Sequence, residues 1–380
     1  MLISKQKLII TATVLCCFSY GEGVVQIIMR LILLPSIAFY SMYNFRLRVG
    51  NINKKNLVTY ILITIIIFST LISSIISPAG IKPIWKSIEY LILVIIMYIN
   101  IKDHVLDENQ FDMYIKHIFK IINSVATFAI FIKFLRGDLY LFELGGSFPL
   151  INANLIGTIF GIQAVFYLVR SKILPSVVFL FLTFLSGSLS ALLAIIFSLS
   201  VFFFLRKKAY SVKLPSVVKI LFGVLICVTC IAYALQILDE EFLKMSGRLK
   251  IWQIMSEGLN LGTRELFLGV GLGGIRILAK DYLGYSVTLH NSYLELALSS
   301  GFVAIFCFLL LIVLFYIRMN FHQKRHAELI YISMFSFLVL KAFTTSNMVF
   351  ISIESLFFVL LLMRYNNVFK ISQPKQDELL

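Results

Sequence analysis

Charge is what this chain has least of. Only 14% of its 380 residues are Asp, Glu, Lys or Arg, against about 25% in a soluble domain. Hydrophobic residues make up 59%. So little polar surface cannot cover a water-facing exterior. That excludes a soluble enzyme, a disordered linker protein and a cytosolic nucleic-acid binder. Cysteine is scarce too: there are five, an odd number and no disulfide framework. Cys16, Cys17, Cys227, Cys230 and Cys307 all fall inside apolar runs. Cys227 and Cys230 have the spacing of a redox or zinc pair, but within an apolar helix they read as soft packing residues. The first apolar run has no convincing small-residue cleavage site and many more runs follow it, so no cleavable signal peptide is expected. What remains is a polytopic, all-α membrane protein. At about 20 residues per span, twelve spans need about 240 residues, which the apolar fraction supplies.

The apolar runs place spans near 7–22, 25–45, 57–76, 84–101, 117–135, 152–169, 173–187, 189–205, 216–238, 291–317, 328–343 and 345–364. The net charge of +15 would suggest an acidic partner in a soluble protein. In a membrane protein it reflects Lys and Arg gathered in cytoplasmic loops. Lys5 and Lys7, the Arg46–Lys55 group, Arg170 and Lys172, the Arg206–Lys213 group, and Arg318, Lys324 and Arg325 occupy alternate connections. Both termini therefore face the cytoplasm, and Lys82, Lys86 and Arg136 are the main exceptions to the alternation. The chain divides into spans one to nine over 1–238, a large extracytoplasmic loop over 239–290, spans ten to twelve over 291–364 and a cytoplasmic tail over 365–380.

The loop carries six basic and six acidic residues and is not low-complexity. A loop this long is functional or disordered. Leu249, Ile251, Trp252, Ile254 and Leu259 are spaced for an amphipathic helix on the membrane face, broken by Gly258, Gly262 and the Gly269–Gly274 cluster. That cluster spells G-x-G-x-x-G, and Glu295 follows about 20 residues on. The strand and parallel sheet that a dinucleotide site needs are missing from the pattern. The glycines form either a tight turn or a set of amides facing an anion, with the turn the plainer reading.

His290 stands where the loop meets a span, able to take, give or orient a proton, or simply to hydrogen-bond the backbone. Arg248 and Arg276 offer planar forks suited to phosphate, or are solvated loop arginines. Within the spans, Glu89, Lys341 and Glu354 are costly to bury and so are candidates for function; Lys341 and Glu354 could instead pair near the outer ends of the last two helices. His322 and His326 lack further metal ligands nearby, and they read as solvated, as do His104 and His117.

In order along the chain stand Asn152-Ala-Asn154 after Phe148-Pro149, Ser186-Gly-Ser188, Gly247-Arg248-Leu-Lys-Ile-Trp252, Leu266-Phe-Leu-Gly269-Val-Gly271-Leu-Gly273 and His290-Asn291-Ser-Tyr-Leu-Glu295. Nine residues separate His290-Asn291 from Gly301. Together these resemble the O-antigen polymerase and O-antigen ligase superfamily (Wzy- and WaaL-like), membrane glycosyltransferases of GT-C type. The likeness covers about 150–310; the first 145 residues match in hydropathy alone. Two positions depart from the pattern. Leu189 stands where the family often has an arginine thought to touch the lipid diphosphate, and Ala304 stands where the ligase signature often has Gly, Thr or Tyr. Arg276, Lys280 or Arg136 would then substitute for that arginine, or the site is arranged differently.

The resemblance implies a GT-C-like bundle with the large loop outside. Its reaction would be the metal-independent, inverting transfer of a glycan from undecaprenyl diphosphate to an acceptor hydroxyl at the bacterial inner membrane. Under it, His290 partners the acceptor hydroxyl and Arg248 stabilises the leaving diphosphate. Arg276, Asn154, Trp252, Asn291 and Glu295 bind diphosphate or glycan. No cofactor is expected. The expected partners are the lipid-linked oligosaccharide, membrane lipid, and a chain-length regulator and flippase of the same pathway, with no nucleic acid. Polymerisation of repeat units into O-antigen or capsule is the expected activity. Ligation to lipid A–core is the nearest alternative; a lipid-linked oligosaccharide flippase is a more distant one, since no internal repeat is present.

Overall fold

The computed structural model describes residues 2–18, 28–44, 54–77, 79–102, 108–135, 153–209, 263–283, 289–321, 326–345 and 352–368. All elements among them are helical. They are α1 (Leu2–Phe18), a π-helical turn (Met29–Leu33) leading into α2 (Leu34–Asn44), α3 (Lys54–Ile75), α4 (Ile81–Lys102) and α5 (Glu108–Leu135). Then come α6 (Ala153–Val169), α7 (Ile173–Leu185), α8 (Leu189–Ala209), α9 (Thr263–Leu268), α10 (Gly274–Leu283), α11 (Ser292–Phe321), α12 (His326–Lys341) and α13 (Ile353–Val368). Among the described residues, four stretches are long and apolar enough to cross a membrane: Leu57–Ile75, Gln110–Ile132, Leu189–Arg206 and Ser292–Ile317. Shorter apolar helices cover Lys7–Cys17, Leu31–Tyr43, Asn154–Val169 and Ile173–Leu185. The expected span at 216–238 and most of the loop up to residue 262 lie outside the described residues, so neither the count of twelve nor the amphipathic segment around Trp252 is tested. Of the loop, α9 and α10 are described. The last helix begins at Ile353 rather than near 345.

Two packed groups make up the bundle. In one, α3 lies along α4 and α11, with α2 and α13 against α4; in the other, α6, α7, α8 and α12 pack on one another. The second group is held by close approach. Gly161 of α6 faces the Phe337 ring of α12 so closely that a Cβ there would come within 2.7 Å of the ring. Small residues at such crossings let helices meet where lipid offers no hydrophobic drive between them. Asn123 of α5 and Gln163 of α6 exchange amide hydrogen bonds of 3.0 and 2.7 Å. Ser198 of α8 donates to the Ser333 carbonyl of α12 at 2.5 Å. Large apolar side chains such as Phe68, Phe128, Phe181, Phe204 and Phe306 point outward and exposed, as a lipid-facing surface requires.

Beyond these mid-helix bonds, the contacts that involve charged side chains lie toward the two ends of the bundle. At one end Asp112 of α5 accepts from Arg170, just past α6, and from Tyr331 of α12 at 2.9 Å. The Arg364 guanidinium of α13 lies over the Phe111 and Tyr331 rings. Nearby on α5, His117 Nε2 lies 3.0 Å from Thr11 Oγ1 of α1 and is half-buried. His117 is therefore a helix-bridging residue and not the solvated one its surroundings in sequence imply. The opposite end holds the motifs.

Candidate functional site

The site begins with a helix start. Asn291 Oδ1 accepts from the amides of Tyr293 at 3.0 Å and Leu294 at 3.1 Å, while the Glu295 amide reaches the Asn291 carbonyl. This is an N-cap: the side chain takes up donors that the first turn leaves without helical partners. His290, one residue earlier, sits at φ +51°, a left-handed conformation that His tolerates better than most non-glycine residues. Asn291 therefore serves the helix with its side chain, and the chain reversal holds His290 at the rim, half-buried. The new helix is tied to the end of α12, with the Ser292 amide donating to the Ala342 carbonyl at 2.8 Å and its hydroxyl to the Thr345 carbonyl at 2.5 Å.

The glycine that follows nine residues later breaks this helix. Gly301 has φ 82° and ψ 173°, a conformation essentially reserved for glycine. The break releases carbonyls, and the glycine-rich loop takes them. The Val270 amide donates to Leu298 and the Gly271 amide to Ser299, both at 2.9 Å. A Cβ on Gly301 would overlap the Phe267 carbonyl. The end of α3 holds the loop from its other side. Ser73 Oγ accepts from the Gly271 amide at 2.7 Å, Ser74 Oγ accepts from Leu272 at 3.2 Å, and Ser77 donates to the Val270 carbonyl at 2.5 Å. The amides of Val270, Gly271 and Leu272 are thus spent on protein acceptors. Of the two readings of Gly269–Gly274, the turn is the one the structure adopts, and the spacing from His290 to Gly301 is the length of helix between rim and docking notch.

Behind this loop lies a charged group. Glu295, in the first turn of α11, is completely buried, and neither carboxylate oxygen accepts a hydrogen bond from a described residue. Arg276 of α10 and Lys86 of α4 are the cations whose charges act on it. The Lys86 ammonium rests where a side chain on Gly273 would go, 2.6 Å from that Cβ position. Lys86 breaks the charge alternation in the sequence, and its place in this group accounts for the exception.

The Ser-Gly-Ser turn between α7 and α8 makes a second polar group. Buried Lys341, the last residue of α12, donates from Nζ to Ser190 Oγ at 2.5 Å, Ser188 Oγ at 3.1 Å and Asn154 Oδ1 at 3.3 Å. Ser188 Oγ also donates to Asn154 Oδ1 at 3.2 Å. Gly157, one turn along α6 from Asn154, leaves the space that Ser188 fills. The turn that carries Leu189 in place of an arginine thus meets an ammonium delivered from another helix. Arg276, one of the three substitutes expected from sequence, lies with Glu295. Lys280 is exposed on α10, and Arg136 lies outside the described residues. Glu354, expected beside Lys341, is buried in the first turn of α13, and Glu89 is buried in α4.

Of the residues expected at the site, His290, Asn291, Glu295 and Arg276 come together around the start of α11, and Asn154 joins the Lys341 group. Arg248 and Trp252 lie outside the described residues. Among the described residues no three His, Cys, Asp or Glu side chains converge.

Residues 174–309 match the family model described as O-antigen ligase. The match contains the Ser-Gly-Ser turn, the glycine loop, His290, Asn291, Glu295 and Gly301. Lys86, Asn154 and Lys341, which complete the two polar groups, lie outside it. No curated protein and no solved structure matches the chain. This is a membrane protein in which residues 174–309, under half of the chain, match the O-antigen ligase family model.

Proposed function

We propose that the chain polymerises undecaprenyl-diphosphate-linked repeat units into O-antigen or capsule at the outer face of the bacterial inner membrane. In this reading the bundle has about twelve spans, both termini are cytoplasmic and residues 239–290 cap the extracytoplasmic end. The observation that carries it is the meeting, at one end of the bundle, of motifs far apart in sequence. Asn154 and Lys341, 187 positions apart, share a hydrogen bond, and the cap that holds His290 is bonded to Ala342 and Thr345 next to that lysine. These helix ends are the ones that the Lys and Arg alternation puts outside, which supports the orientation.

The chemistry follows from the residues. As the bond between the anomeric carbon and the diphosphate breaks, charge grows on the leaving group and must be met by fixed cations. Arg248 and Arg276 do this, with Lys341 holding the Ser-Gly-Ser turn in place of the arginine absent at Leu189. The acceptor hydroxyl, a poor nucleophile at neutral pH, attacks from the opposite face with inversion. His290 engages it and takes or shares its proton. A small, partly open apolar hollow lined by Ile63, Ile66, Tyr90, Phe308 and Phe358 lies several turns further along α11, among the helices that carry Lys86 and Glu295.

The matched family's description names the ligase, which performs the same transfer onto lipid A–core, and one experiment separates the two acceptors. Deleting the gene and resolving the surface glycan on a gel is expected to leave single repeat units in place of a long ladder. Loss of all attached glycan would instead mark a ligase. Wild-type chain restores the ladder; His290→Ala, present at equal membrane level, does not. A normal ladder with His290→Ala would remove the imidazole from the reaction.

A further inference from the structure

Glu295 poses a question that the roles above leave unanswered. A carboxylate buried without hydrogen bonds forfeits its hydration, and neighbouring cations return only part of it; such a group in a native interior calls for an explanation. Its backbone is fully engaged: the amide donates to Asn291 and the carbonyl accepts from Ser299 Oγ. The side chain alone is left over, both oxygens enclosed and without a hydrogen-bond partner among the described residues. Hydrogen-bond acceptors in this state match a ligand that brings donors, and the hydroxyls of a sugar are such donors.

We propose that Glu295 is a further catalytic residue, the group that finally accepts the proton of the attacking sugar hydroxyl which His290 engages at the rim. Three features of this helix start support it. Glu295 lies in the first turn of the helix that His290 precedes, so both belong to one rigid start. The N-terminal end of a helix favours a negative charge. Lys86 and Arg276 act on the carboxylate by charge without hydrogen-bonding it, so its acceptor capacity stays unspent. In the step, the hydroxyl oxygen forms its bond to the anomeric carbon. The bond from that carbon to the diphosphate oxygen breaks, and its electron pair leaves with the diphosphate. The hydroxyl proton passes to the Glu295 carboxylate. Product release and return of the proton to water close the cycle with no other reactant.

The inference rests on the glycosyl-transfer reading, and the test separates their failures. Purified chain in liposomes is given undecaprenyl-diphosphate-linked repeat units extracted from the cells that make them. Turnover and carrier binding are measured for wild type, Glu295→Gln and Glu295→Asp. Glu295→Gln keeps the shape, so it is expected to bind the carrier as wild type does and to turn over about 10²–10⁴-fold more slowly, the range of a lost acid–base group. Glu295→Asp withdraws the carboxylate by one methylene and is expected to fall between. Glu295→Gln at near wild-type turnover would overturn the assignment, and so would a loss confined to carrier binding. If Glu295→Gln does not fold, full turnover by Glu295→Asp overturns it instead. A wild type that binds the carrier and leaves it uncleaved defeats the transfer reading, and this inference falls with it.

Discussion

At the scale of single residues, the proposed role of His290 places a conformational and a chemical demand on one position. Its φ of +51° costs something for any side chain and nothing for glycine. His290→Gly therefore separates the two demands. It is expected to reach the membrane at or above wild-type level and to make no polymer; polymer from this variant would show that only the backbone turn matters. The sequence motif gives His290, Asn291 and Glu295 directly, because the spacing is local. It does not give their division of labour, in which Asn291 caps, His290 stands at the rim and Glu295 is sealed beneath. Lys341 and Lys86 are harder to read. Hydropathy marks Lys341 as costly, but its acceptors come from α6 and from the start of α8, and nothing local names them. Lys86 stands out in sequence only as a charge in the wrong loop.

At the scale of elements, the helix start, the notch at Gly301 and the loop around Gly271 form one unit. The helix must break for its carbonyls to accept the loop, and the loop must be glycine-rich to come close enough. The G-x-G-x-x-G spelling is legible in sequence, but its use is not. The same letters serve a nucleotide site when a strand precedes them and a docking turn when α9, α3 and α11 surround them. Gly301→Ala tests the unit. It adds a strained conformation worth roughly 1–3 kcal/mol and a methyl group overlapping the Phe267 carbonyl. The expected result is a clear drop in the detergent-solubilised protein's melting temperature, together with lost activity. An unchanged melting temperature would mean that the loop is not docked in that notch. The apolar runs place α3, α4, α6, α7 and α8 within about four residues, but α5 begins at Glu108, ahead of the expected start at 117, because its first turns are polar. They miss the late start of α13, because an apolar run does not say where helix begins.

At the scale of the whole molecule, composition alone fixes the class, since 14% charged residues cannot clothe a soluble protein. Order along the chain then groups the helix ends into two polar layers, one built on Asp112 and Arg170 and the other on the motifs. Reporter fusions at positions 188, 280 and 344 should all report the exterior, and fusions at 104, 171 and 323 the cytoplasm. Reporters at 188 and 280 on opposite sides would break the orientation. The central claim is that this end of the bundle cuts a glycan from a diphosphate carrier and joins it to a second sugar. The most direct measurement follows a labelled undecaprenyl-diphosphate-linked repeat unit in liposomes containing the purified chain. The account predicts longer glycans on one carrier and an equal amount of undecaprenyl diphosphate freed. Labelled units that cross the bilayer intact, with no carrier released, would contradict it.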